Sequence, residues 1–133
     1  SLNPIEWWKN EIDIWQRKKN AKDVNVQKMS LRLLNQIWAS FAEKSFHYEA
    51  KRDYELALRL NEIWLYAQPN SVWALWTRAK LFALNGDKWQ ALRFLELAHK
   101  NGMSKAKSIT EQRAFNILQE ESKYKKLLSE LSQ

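Results

Sequence analysis

Residues 38–71 read WASFAEKSFHYEAKRDYELALRLNEIWLYAQPNS, and residues 72–105 read VWALWTRAKLFALNGDKWQALRFLELAHKNGMSK. Laid over each other without a gap, residues 34 apart coincide: Asp53 with Asp87, Ala57 with Ala91, Leu58 with Leu92, Arg59 with Arg93 and Glu62 with Glu96. Identities gathered in one register at this spacing mark stacked helix pairs, in which each unit buries its apolar face on the next. Small side chains let paired helices approach closely, aromatic ones fill the space beside them, and Gly86-Asp87 turns the chain between them.

Upstream, Asn3-Pro4-Ile5-Glu6 is a helix start. Asn3 can cap, Pro4 stands where its missing N–H costs nothing, and Glu6 completes a capping box. Ile5, Trp8, Ile12 and Trp15 then recur at three and four residues, which predicts an amphipathic helix to about Lys19. Trp7 lies beside that stripe, exposed or packed on a neighbour. After a polar break, Asp23 caps the next segment, and nothing interrupts a helical pattern from Val24 to about Lys51. One long helix or two with a kink near Ser40 both fit. Downstream, Ile109, Phe115, Ile117 and Leu118 predict a short helix, and Tyr124, Leu127, Leu128 and Leu131 a last one capped by Ser122.

The paired segments resemble tetratricopeptide repeats. The first supplies Phe41, Ser45, Tyr48, Asp53, Tyr54, Ala57 and Pro69, and the second Leu75, Ala79, Phe82, Gly86, Asp87, Ala91 and Ala98. Arg52 replaces the turn glycine, Trp64 replaces a small residue, Asn61 stands where a large apolar one is usual, and Lys88 replaces the turn tyrosine. The segment from Ala114-Phe115 through Leu118 to Tyr124–Leu128 is similar to the closing segment of bacterial arrays of this family. The resemblance implies an all-α fold, an α–α superhelix of helix pairs with flanking capping helices. Its expected organisation is a single domain over 1–133, with N-terminal helices over 1–37, repeats over 38–71 and 72–105, and C-terminal capping helices over 106–133.

Composition narrows the function classes. The 133 residues hold no cysteine, which removes disulfides, thiol nucleophiles and thiolate metal sites. Only two Gly and two Pro occur, so long helices are expected, and no apolar run approaches the roughly 18 residues that span a bilayer. Net charge is +7, all of it outside 38–71, where four basic residues meet five acidic ones; 72–105 has six basic and two acidic. Arg17-Lys18-Lys19 with Lys22 falls at a helix end, where cations complement the helix dipole. Eight Trp suit both cores and binding surfaces.

Catalytic signals are missing from the sequence. His47 and His99 stand 52 residues apart, no Asp/Glu/His group has metal-ligand spacing, and there is no phosphate loop or nucleophile elbow. The expectation is a non-enzyme needing neither cofactor nor metal. In the family, the first helix of each repeat lines a groove for peptide partners. By position these are Ala39, Ala42, Glu43, Phe46, Glu49 and Ala50, then Trp73, Trp76, Thr77, Lys80, Ala83 and Leu84. Phe46, Trp73, Trp76, Thr77 and Lys80 are the candidate partner-binding residues, with Lys80 meeting an acidic group; the competing reading makes the two indoles plain core. Ala42, Phe46 and Thr77 stand where chaperone-binding relatives carry a carboxylate clamp, which argues against that subtype. Two other readings remain: a basic, aromatic-rich nucleic-acid-binding domain, and a self-association domain, as a homodimer or as the docking part of a larger protein.

Overall fold

The structure, a computed structural model, describes residues 3–133. Its α-helices are α1 (Pro4–Lys18), α2 (Val24–Ala50), α3 (Tyr54–Ala67), α4 (Val72–Leu84), α5 (Lys88–Lys100), α6 (Lys107–Thr110) and α7 (Ser122–Glu130), with a 3₁₀ helix over Arg113–Leu118 between α6 and α7. The fold is all-α, with neighbouring helices packed in consecutive pairs, α2 with α3 and α4 with α5. Among the described residues no helix is long and apolar enough to cross a membrane. The chain divides into two compact units, one ending at Pro69 and one beginning at Asn70, two residues from the repeat boundary expected between 71 and 72.

In the first unit the expected caps form. Asn3 Oδ1 accepts from the Glu6 N–H at 2.9 Å, and Asp23 Oδ1 accepts from Asn25 N–H at 2.8 Å. Helix α1 ends at Lys18, and its Ile12 is fully buried. Trp8 meets Phe41 of α2 edge-on at 4.9 Å, while Trp7 stays 48% exposed. The open question over 24–51 resolves as one helix of 27 residues, about 40 Å long, running straight through the boundary expected at 37/38. No Gly or Pro lies in it to break the ladder. Leu34, Phe41, Ala57, Ile63 and Trp64 form the core, but Val24, Met29 and Leu31 near the start of α2 remain exposed.

The turn between paired helices is built the same way in both units. Asp53 N–H bonds to Tyr48 O at 3.0 Å and Arg52 N–H to Glu49 O at 2.9 Å; Asp87 N–H bonds to Phe82 O at 2.9 Å and Gly86 N–H to Ala83 O at 3.0 Å. This is the two-bond helix ending that requires a left-handed residue. Gly86 has φ +82°, and Arg52 takes the same region with φ 62°. The next residue then caps the following helix: Asp53 Oδ1 accepts from Leu56 N–H, and Asp87 Oδ1 from Gln90 N–H. The register expected from sequence is therefore a register of backbone hydrogen bonds.

The second unit closes on itself. Ile109, Phe115, Leu118 and Leu127 are buried with Leu81 and Leu95. The short helix expected over 109–118 is split into α6 and the 3₁₀ helix. The backbone near the C-terminus returns to the α5–α6 connection: Ser132 N–H donates to Ser104 O at 2.9 Å, and Ala106 N–H donates to Ser132 O at 2.8 Å. Ser122 does not cap α7 as expected; it is the first helical residue, and Glu121 holds the cap position without a side-chain capping bond. The Glu121 carboxylate is drawn instead to Lys88 Nζ, 3.9 Å away.

Candidate partner-binding surface

Helix α4 starts where Ser71 Oγ accepts from Ala74 N–H at 3.1 Å. Its first turns carry Trp73, Trp76, Thr77 and Lys80 at three- and four-residue intervals, which places them along one side of the helix. The structure gives these four different surroundings. Trp73, in the first turn, is 50% exposed. Trp76 donates its indole N–H to Ser108 O at 2.8 Å and meets Phe115 edge-on at 6.1 Å, so the closing segment of the unit is built against it. Lys80 is 9% exposed, with its ammonium 5.2 Å from the Trp76 ring centroid. A cation over an indole face is attracted by the ring quadrupole, and the long lysine stem lies along apolar surface. Thr77 is fully buried, and its hydroxyl oxygen has no hydrogen-bond partner among the described residues.

Phe46 lies in the first unit, on α2. It is half-buried and meets Trp64 edge-on at 5.8 Å. Trp64 is itself fully buried and donates its N–H to Gln68 Oε1 at 3.0 Å. Of the five candidate residues, the structure thus joins Trp76 to Lys80, buries Thr77, packs Phe46 on Trp64 and leaves Trp73 the most open to solvent.

The two histidines have local partners. His47 is exposed on α2 with its ring edge-on to Tyr48 at 5.0 Å. His99 closes α5, with Nδ1 2.9 Å from Met103 O and Nε2 3.8 Å from Glu130 Oε2. No group of three His, Asp or Glu side chains among the described residues is placed to hold a metal. Two phenols depart from their ordinary acidity. Tyr66 donates to Asp13 Oδ1 at 2.6 Å, and that hydrogen bond raises its pKa, helped by desolvation and by the carboxylate charge. Burial alone raises that of Tyr124.

Two exposed aromatics escaped the sequence reading, Tyr66 and Trp89. Trp89, near the start of α5, is 66% exposed. Its partner in the 34-residue register is Glu55, an exposed acid on α3. A tryptophan replacing a charged residue at a solvent position was the available signal. Trp73 likewise stands opposite an exposed residue in that register, the small Ala39. Comparison with protein-family models, with curated proteins and with solved structures gave no match.

Proposed function

We propose that the chain is a non-catalytic module of the tetratricopeptide type, and that it holds a peptide or partner protein on its second helix pair. The observation that carries this reading is Trp73, a half-exposed indole at the opening of a helix whose next indole, Trp76, is fixed in place by Ser108 and Phe115. Tryptophan is among the residues that most often dominate protein-protein binding energy, because it buries a large area with little loss of side-chain freedom. A rigid neighbour reduces the entropy lost when such a contact forms. The family assignment is supported by the shared turn and by Ser45, Ala79, Ala57 and Ala91, all buried at the places where small residues are needed for close helix approach. The non-catalytic part rests on the absence of cysteine and of any nucleophile–base motif in the sequence.

The test is affinity capture on the purified chain with mass-spectrometric identification, repeated with Trp73→Ala and, as a control, Trp7→Ala. A protein retained by the wild type and by Trp7→Ala but lost from Trp73→Ala, with thermal unfolding unchanged, supports the assignment. Equal retention by Trp73→Ala overturns the proposed surface. Capture of nucleic acid alone, released by salt, replaces the protein-binding reading with the electrostatic one.

A further inference from the structure

A second surface of the same unit lies on α5 and α7. Trp89, Arg93, Glu96 and Lys100 follow one another along α5 at four, three and four residues, and all four are exposed. This spacing sets them in one row on the helix, about 16 Å long at the helical rise. The row ends in a cleft of about 420 Å³ between α5 and α7, lined by Glu96, His99 and Lys100 and by Lys123, Lys126, Leu127 and Glu130. Its size falls at the lower end of the range for ligand sites.

Three of the chain's lysines are paired with carboxylates outside this cleft. Lys9 pairs with Glu62 at 2.8 Å, Lys88 with Glu121 and Lys125 with Glu120. Lys100, Lys123 and Lys126 have no carboxylate partner among the described residues. Glu130, the nearest acid on α7, faces His99 instead. Three lysines thus share a concave site with an apolar side chain, Leu127, that is only 3% exposed.

We infer that this track docks an extended acidic segment of a partner protein, with its carboxylates at Lys100, Lys123 and Lys126 and an apolar residue on Trp89. An extended chain covers about 16 Å in roughly five residues, so the apolar anchor stands about that far from the acidic group. The mixed signs of the lining select a peptide over a nucleic acid. Glu96 and Glu130 can accept from peptide N–H groups, donors that a phosphate backbone lacks. The surface is separate from Trp73 and does not depend on the role given to that residue.

Fluorescence anisotropy on the full chain tests the inference, with a fluorescein-labelled peptide bearing one leucine about five residues from a run of glutamates. Lys123→Glu/Lys126→Glu is expected to weaken binding by about tenfold or more, and Trp89→Ala by several-fold. Lys105→Glu/Lys107→Glu, which removes the same charge outside the cleft, and Trp73→Ala are expected to stay within about twofold. Should the first double variant not fold, as judged by circular dichroism, Lys123→Gln/Lys126→Gln takes its place. The inference is overturned if the wild type leaves the probe unbound at low salt. It is equally overturned if the control pair loses as much affinity as the cleft pair, or if an oligonucleotide competes better than the unlabelled peptide.

Discussion

Two helix pairs, α2 with α3 and α4 with α5, are drawn on one pattern and filled differently. The turn is held constant down to its backbone hydrogen bonds, as are the small buried residues Ala57 and Ala91. The bulk around them is not. In the first pair Phe46 packs on Trp64; the aligned residues in the second are Lys80 and Ala98, and the indole comes from Trp76, on the first helix of the pair, where its counterpart is Ala42. The buried Ser45 hydroxyl donates to Ala57 O at 3.1 Å, a bond its partner Ala79 cannot make. On the surface, Ala39 and Glu55 give way to Trp73 and Trp89. Backbone geometry is thus the shared part of the repeat, and the part free to vary holds the aromatic surface of the second pair.

The largest test of that comparison removes the bulk that only the first pair carries in its second helix. Trp64→Ala is expected to cost about 3–5 kcal/mol, because a fully buried indole leaves a cavity and an unpaired Gln68 amide. The reverse exchange, Ala98→Trp, inserts bulk into a fully buried site and is expected to cost about 1–3 kcal/mol by overpacking. Denaturant unfolding measures both. If Ala98→Trp were neutral, the two pairs would be equally able to hold an indole there, and the comparison would fail.

The turn gives a smaller and opposite pair of effects. Arg52→Gly is expected to stabilise by about 0.5–1 kcal/mol, since it relieves a non-glycine residue at positive φ. Gly86→Ala is expected to destabilise by about 1 kcal/mol through φ alone, because a Cβ there would meet nothing within 4 Å. Thermal melts of the two variants should move in opposite directions.

The smallest effect belongs to Tyr66, a contact of the first unit. Its folded pKa lies above the ordinary value of 10.0, so the stability it contributes is complete below that value and is lost as pH rises through the folded one. Tyr66→Phe should cost less than about 1 kcal/mol at neutral pH, as expected for a partly exposed contact. The difference from wild type should vanish at alkaline pH, beyond 10.0. Tyr124, whose pKa is raised by burial, is present in both proteins and drops out of the difference.

The parts of the fold written most clearly in the sequence were those fixed by local chemistry. Asn3 and Asp23 announce helix starts because a short side-chain oxygen satisfies N–H groups that have no partner within the helix, and Asp53 and Asp87, read as turn residues, cap in the same way. Continuity of α2 could not be read, because an uninterrupted helical pattern carries no mark of where a bend would fall. The tail was misjudged in detail for a related reason: Ile109 and Phe115 are both buried, but the backbone between them turns at Glu111–Gln112 rather than continuing a helix. Among the site residues, the family resemblance put Trp73 and Trp76 together on the first helix of the second pair but could not say that Ser108 would tie up the second. That bond joins residues 32 apart and has no local signature.

The most direct measurement gives the second helix pair a surface residue of the first. Trp73→Ala installs the residue that stands 34 positions earlier, Ala39, at an exposed site. Calorimetric titration of a captured protein partner into this variant and into the wild type is predicted to show at least about a tenfold loss of affinity, with the thermal unfolding midpoint unchanged. Undiminished affinity in the folded variant would contradict the claim that Trp73 holds the partner.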